Sequence, residues 1–102
     1  MVVRTKQDAI KVLADIEGDK RFYSNDGSIL SNVQQLAELL VRLNDDSYYY
    51  HVTPEKNDFS RWVGEVIGDD KLASSLSRAL NRLEAAEITK ARVLWLREKA
   101  KK

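Results

Sequence analysis

The sequence predicts an all-α protein, a small orthogonal bundle of about five helices with one minor β-hairpin near residues 22–30, in a single domain spanning 1–102. Three observations carry this. Apolar residues recur at three- and four-residue spacing along most of the chain. Gly and polar capping residues interrupt that spacing at intervals suited to short helices. The only Asp-Gly pair, Asp26-Gly27, is followed by Ile29-Leu30 and preceded by the aromatic pair Phe22-Tyr23, the pattern of a tight hairpin. The length, 102 residues, suits one domain with one modest core.

Each element has a local reason. Thr5 caps a first helix through QDAIKVLADIE, whose apolar stripe is Ala9, Ile10, Val12, Leu13 and Ile16, and Gly18 ends it. RFYSNDGSIL follows as the hairpin; two strands alone are marginal, so it must lie on helices. Ser31, with Gln34 three residues on, reads as a capping box opening the most apolar helix, built on Val33, Leu36, Ala37, Leu39, Leu40, Val41 and Leu43. Asn44-Asp45-Asp46-Ser47 breaks it. In SYYYHV, β-propensity and the preceding capping residues compete, and the caps favour a helical turn.

Thr53-Pro54 begins a turn, Asn57 caps the next helix, and Phe59, Trp62, Val63, Val66 and Ile67 form its core stripe up to Gly68. Asp69 or Asp70 caps a helix whose buried side comprises Leu72, Ala73, Leu76, Ala79, Leu80 and Leu83. A break near Glu84–Glu87 separates it from a last helix over ITKARVLWLREKA, capped at Thr89. The alternative is one continuous helix, because the apolar spacing almost runs through. The tail, about 99–102, is expected to fray.

At HVTPEKNDF the chain from about Phe22 to Leu76 resembles a family of small uncharacterised archaeal and bacterial proteins. The shared parts are Phe22-Tyr23, Asp26-Gly27, the leucine-rich helix around Leu36–Leu40, Tyr50-His51-Val52, Lys56-Asn57-Asp58-Phe59, Trp62, Val66-Ile67, Gly68-Asp69 and Leu72-Ala73. The resemblance covers about half of the chain and carries an extra residue in SNDG. It implies a shared fold and no particular activity.

The composition narrows function. There is no cysteine, hence no disulfide, thiol nucleophile or thiolate metal site, which suits a cytoplasmic protein. No apolar run approaches the roughly 18 residues of a membrane span, so no membrane partner is expected. Net charge is +1, but residues 88–102 carry six basic groups and one acidic; cations there suit a helix C-terminus and could also meet phosphate.

His51 and Asp58 are the best acid–base pair, yet nothing accompanies them as a nucleophile, a glycine-rich phosphate loop or a metal-ligand spacing. No enzyme, cofactor or metal is therefore expected. The corner formed by His51, Lys56, Asn57, Asp58 and Trp62 reads first as a structural latch and second as a ligand surface. Two binding roles remain. Tyr48, Tyr49 and Trp95 offer an aromatic surface for an unknown protein partner or a second copy, as an interaction or adaptor domain. Alternatively, residues 57–83 outline a helix-turn-helix, and Arg78, Arg82, Lys90, Arg92 and Arg97 offer a basic surface for nucleic acid. Aspartates at the start of its second helix oppose that role.

Overall fold

A computed structural model describes residues 1–102. Six helices and two small antiparallel hairpins surround one core of 22 buried residues. Helix α1 spans Lys6–Leu13 and opens on a reciprocal cap: Thr5 Oγ1 accepts from the Asp8 N–H, and the Asp8 carboxylate accepts from the Thr5 N–H. It stops before Ile16, which is half-buried on the chain leading to a 3₁₀ turn at Gly18–Lys20. Strands β1 (Phe22–Tyr23) and β2 (Ile29–Leu30) pair with Phe22 opposite Leu30 and Tyr23 opposite Ile29. Phe22 and Leu30 are buried and the other pair is exposed, the period-two alternation of a one-sided sheet.

Helix α2 (Val33–Arg42) is the most deeply embedded. Its cap is Asn32 and not Ser31: the Asn32 side chain accepts from the Gln35 N–H, while Gln35 Oε1 accepts from the Ser31 N–H. The expected box at Ser31 and Gln34 is therefore replaced by an Asn32 cap, with Gln35 reaching past it to the residue before. Val41, expected in the core, is exposed. Helix α3 (Asp45–His51) forms as the caps predict, with Asn44 accepting from the Ser47 N–H and two aspartates in the first turn. A second hairpin, β3 (Val52–Thr53) with β4 (Lys56–Asn57), occupies the expected turn.

Helix α4 (Asp58–Trp62) runs directly into a π-helical turn over Val63–Ile67. That turn closes at Gly68, whose φ of +91° is the left-handed conformation that favours glycine. The next helix, α5 (Asp70–Ser77), is capped by Asp69, which accepts from the Leu72 N–H. Gly64 permits the close approach of the π turn to α5, since a Cβ there would lie 3.3 Å from the Cβ of Ala73.

The last helix departs most from expectation. Helix α6 runs unbroken from Arg82 to Lys101, so the break lies at 78–81 and not at Glu84–Glu87, and the segment expected to fray is helical to Lys101. Asn81 sets the start. Its side chain accepts from the Glu84 N–H, and the Glu84 carboxylate accepts from the Leu80 N–H. Two orphan donors are thereby satisfied. Thr89, expected as a cap, is fully buried in mid-helix with its hydroxyl donating to the Ala85 carbonyl. Helix α6 packs on α1, α2 and α5 through Ala85, Ala86, Thr89, Val93 and Leu96. Leu80 and Leu83, expected in the core, are left 81% and 60% exposed. No helix is long and apolar enough to cross a membrane.

Candidate functional site

The corner singled out by the sequence is assembled at the end of α3. His51 is 4% exposed and lies among rings, with centroids 5.1 Å from Phe22, 5.1 Å from Phe59 and 5.0 Å from Tyr50. Its Nε2 accepts from the Asn25 N–H at 2.9 Å. Accepting there requires a lone pair on Nε2, so the ring proton sits on Nδ1. Nδ1 then donates to Asp58 Oδ2 at 3.0 Å. Lys56 Nζ donates to the same oxygen, also at 3.0 Å, and lies over the Tyr50 ring. Burial alone would push the Asp58 carboxyl up, but the hydrogen bonds from His51 and Lys56 and the positive charge of Lys56 outweigh it. The carboxyl is held below its ordinary value of 3.8.

Asn57 and Trp62 belong to the same corner and face other partners. Asn57 Oδ1 accepts from the Ser60 N–H and its Nδ2 donates to the Leu76 carbonyl, so one side chain caps α4 and ties it to α5. The Trp62 indole N–H donates to the Lys20 carbonyl at 2.8 Å. The first hairpin is therefore held at two points, by His51 at Asn25 and by Trp62 at the turn before Phe22. Both imidazole nitrogens are committed to protein partners and the ring is buried. This arrangement ties three chain segments together and presents no ring nitrogen to solvent.

The aromatic surface is only partly assembled. Tyr48 is 1% exposed and packs on Phe59 inside the core, with burial raising its hydroxyl pKa. It is a core residue and not a surface one. Tyr49 is exposed and packs edge-on against Tyr48. Trp95 is 43% exposed on α6, flanked by the Arg92 guanidinium at 4.4 Å and Lys99 Nζ at 5.7 Å from its ring centroid. It borders a shallow depression with Val2, Val3, Asp70 and Lys71.

Several of the candidate phosphate-binding cations have partners within the fold. Arg92 makes a two-pronged ion pair with Asp69, Nε to Oδ2 at 2.7 Å and Nη2 to Oδ1 at 3.0 Å, and Asp69 is fully buried. Arg82 donates to Asp45 Oδ1 and to the carbonyls of Leu40 and Val41, which fastens α6 to the end of α2. Arg97 donates to Gln34, and Arg78 to Ser74. Lys90 is exposed beside Gln34, Ala37, Glu38 and Val41. The second helix of the helix-turn-helix outline is only eight residues long. The Asp69–Arg92 pair spans 23 residues and leaves no local spacing signal, which is why sequence reasoning missed it. No three side chains of His, Asp or Glu converge in a manner suited to a metal ion.

No protein-family model, curated protein or solved structure matches this chain.

Proposed function

We propose that the chain is a non-enzymatic protein-interaction domain whose working surface is the outward side of α6. One observation carries the reading: Leu80, Leu83, Leu94 and Trp95 stand 81%, 60%, 55% and 43% exposed along the same helix and its lead-in. Single exposed apolar residues are ordinary on a protein surface, but several large ones on one element mark a partner site. The commitment of His51, the only histidine, to a buried latch supports a binding role over acid–base chemistry. The internal partners of Arg82 and Arg92 favour a protein partner over nucleic acid.

The test is light scattering after gel filtration, with and without duplex DNA, at low and at moderate salt. The interaction reading expects no change of mass with DNA. A complex with DNA that dissolves steeply as salt rises would replace it with the nucleic-acid reading, because counterion release produces that slope.

A further inference from the structure

We infer that α6 pairs antiparallel with α6 of a second copy of this chain, about a two-fold axis passing between Ile88 and Thr89. This rests on the interaction reading and names the partner.

The outward side of α6 repeats at alternating four- and three-residue steps: Leu83, Glu87, Lys90, Leu94, Arg97. Leu83, Glu87, Lys90, Leu94 and Arg97 are all exposed. Such spacing gives a helix one straight seam able to pack along another helix. The seam follows its own rule of composition, with leucines toward its ends and an acid and a base between them.

That order selects the partner and its direction. Leu83 lies as far before the midpoint between Ile88 and Thr89 as Leu94 lies after it. Glu87 and Lys90 are placed equally about the same midpoint. A two-fold antiparallel copy therefore sets Leu83 against the partner's Leu94 and Leu94 against the partner's Leu83. The same register sets Glu87 against the partner's Lys90 and Lys90 against the partner's Glu87. Two leucine contacts and two ion pairs form from one register with no residue adjusted.

A parallel pairing in register would instead set Glu87 against the partner's Glu87 and Lys90 against the partner's Lys90, which is repulsive twice over. The helix is long enough for the antiparallel contact: its 20 residues span about 30 Å at 1.5 Å per residue. Glu38 and Val41 of α2, exposed beside Lys90, extend the surface that the second helix would cover. An isologous contact closes on itself, so the assembly stops at two chains.

The experiment is sedimentation velocity of the full chain from micromolar to sub-millimolar concentration, with helical content and thermal midpoint recorded for every variant. The native chain is expected to dimerise. Leu83→Glu and Leu94→Glu, both at exposed positions, are expected to give monomers with unchanged helical content. Glu87→Lys is expected to weaken dimerisation at least about tenfold, and Glu87→Lys combined with Lys90→Glu to restore it.

The chain has no cysteine, so direction is read without background. A mixture of Leu83→Cys and Leu94→Cys chains is expected to form the mixed disulfide in preference to either self-disulfide. A native chain that remains monomeric, a dimer that survives Leu94→Glu, a charge swap that fails to rescue, or preferential self-disulfides would each overturn the inference. A monomer indifferent to DNA removes this pairing while the interaction reading stands, whereas a salt-sensitive DNA complex removes that reading as well.

Discussion

Replacing His51 with alanine tests whether the corner is a latch. The substitution removes the acceptor for the Asn25 N–H and the donor to Asp58. A stranded, part-buried N–H costs up to about 1–3 kcal/mol, and a net hydrogen bond to a carboxylate contributes about 1.5–3 kcal/mol. The ring's contacts with Phe22 and Phe59 add about 0.5–1.5 kcal/mol beyond area. Relaxation of the site and the Lys56 contact that remains on Asp58 offset part of the sum, so the expected loss is about 3 kcal/mol.

That is a large share of the roughly 5–15 kcal/mol by which domains are stable. Urea denaturation followed by circular dichroism should show the midpoint falling by about 1–3 M with an unchanged slope. His51→Gln, whose amide oxygen reaches toward the position of Nε2, should lose less than His51→Ala. A loss below about 1 kcal/mol for His51→Ala, or equal losses for the two variants, would refute the latch.

Other consequences are equally direct. Arg92→Ala strands the fully buried Asp69 carboxylate and should cost about 3–5 kcal/mol in the same denaturation measurement; Asp69→Asn, which keeps an oxygen for the Leu72 N–H, should cost less. Because the folded Asp58 pKa is depressed below 3.8, its contribution is fully present above that value and is lost as pH falls through the folded pKa. Asp58→Asn should therefore flatten the acid side of a stability-versus-pH curve relative to the native chain. Gly68→Ala forces a side chain onto a φ of +91° and should lower the thermal midpoint by the equivalent of about 1–2 kcal/mol, with helical content retained.

Local chemistry made much of the fold legible. Thr5, Asn57 and Asp69 each cap the helix that the residues after them demand, because a cap is satisfied within three residues and needs no distant partner. Asp26-Gly27 forms its turn for the same reason. The two aspartates and Asn44 also outweigh the β-propensity of Tyr48-Tyr49-Tyr50, since Asn44 satisfies the Ser47 N–H and the aspartates complement the helix dipole.

The candidate corner is recognisable as a cluster of unusual residues, and the latch reading rests on the need of buried polar groups for partners. Which partners they find was not legible. Asn25 and Lys20 lie 26 and 42 residues from His51 and Trp62, and nothing in either segment's own sequence specifies the other.

Apolar spacing and caps together indicated where most helices form, and their number to within one. They could not determine which apolar residues each helix buries. Leu80 and Leu83 fit the stripe of the preceding helix as well as Leu72 and Leu76 do, yet they end exposed. The Asn81 cap, with Glu84 holding the Leu80 N–H, starts α6 after the four residues 78–81 that follow α5 and directs it onto α1 and α2. Tyr48 is drawn inward by Phe59, and Arg92 by Asp69 at the exit of the π turn. A helix has several sides of comparable hydrophobicity, and the side that is buried is chosen by the surfaces the rest of the chain offers it. That choice is a property of tertiary packing, and on α6 it decides which leucines remain for a partner.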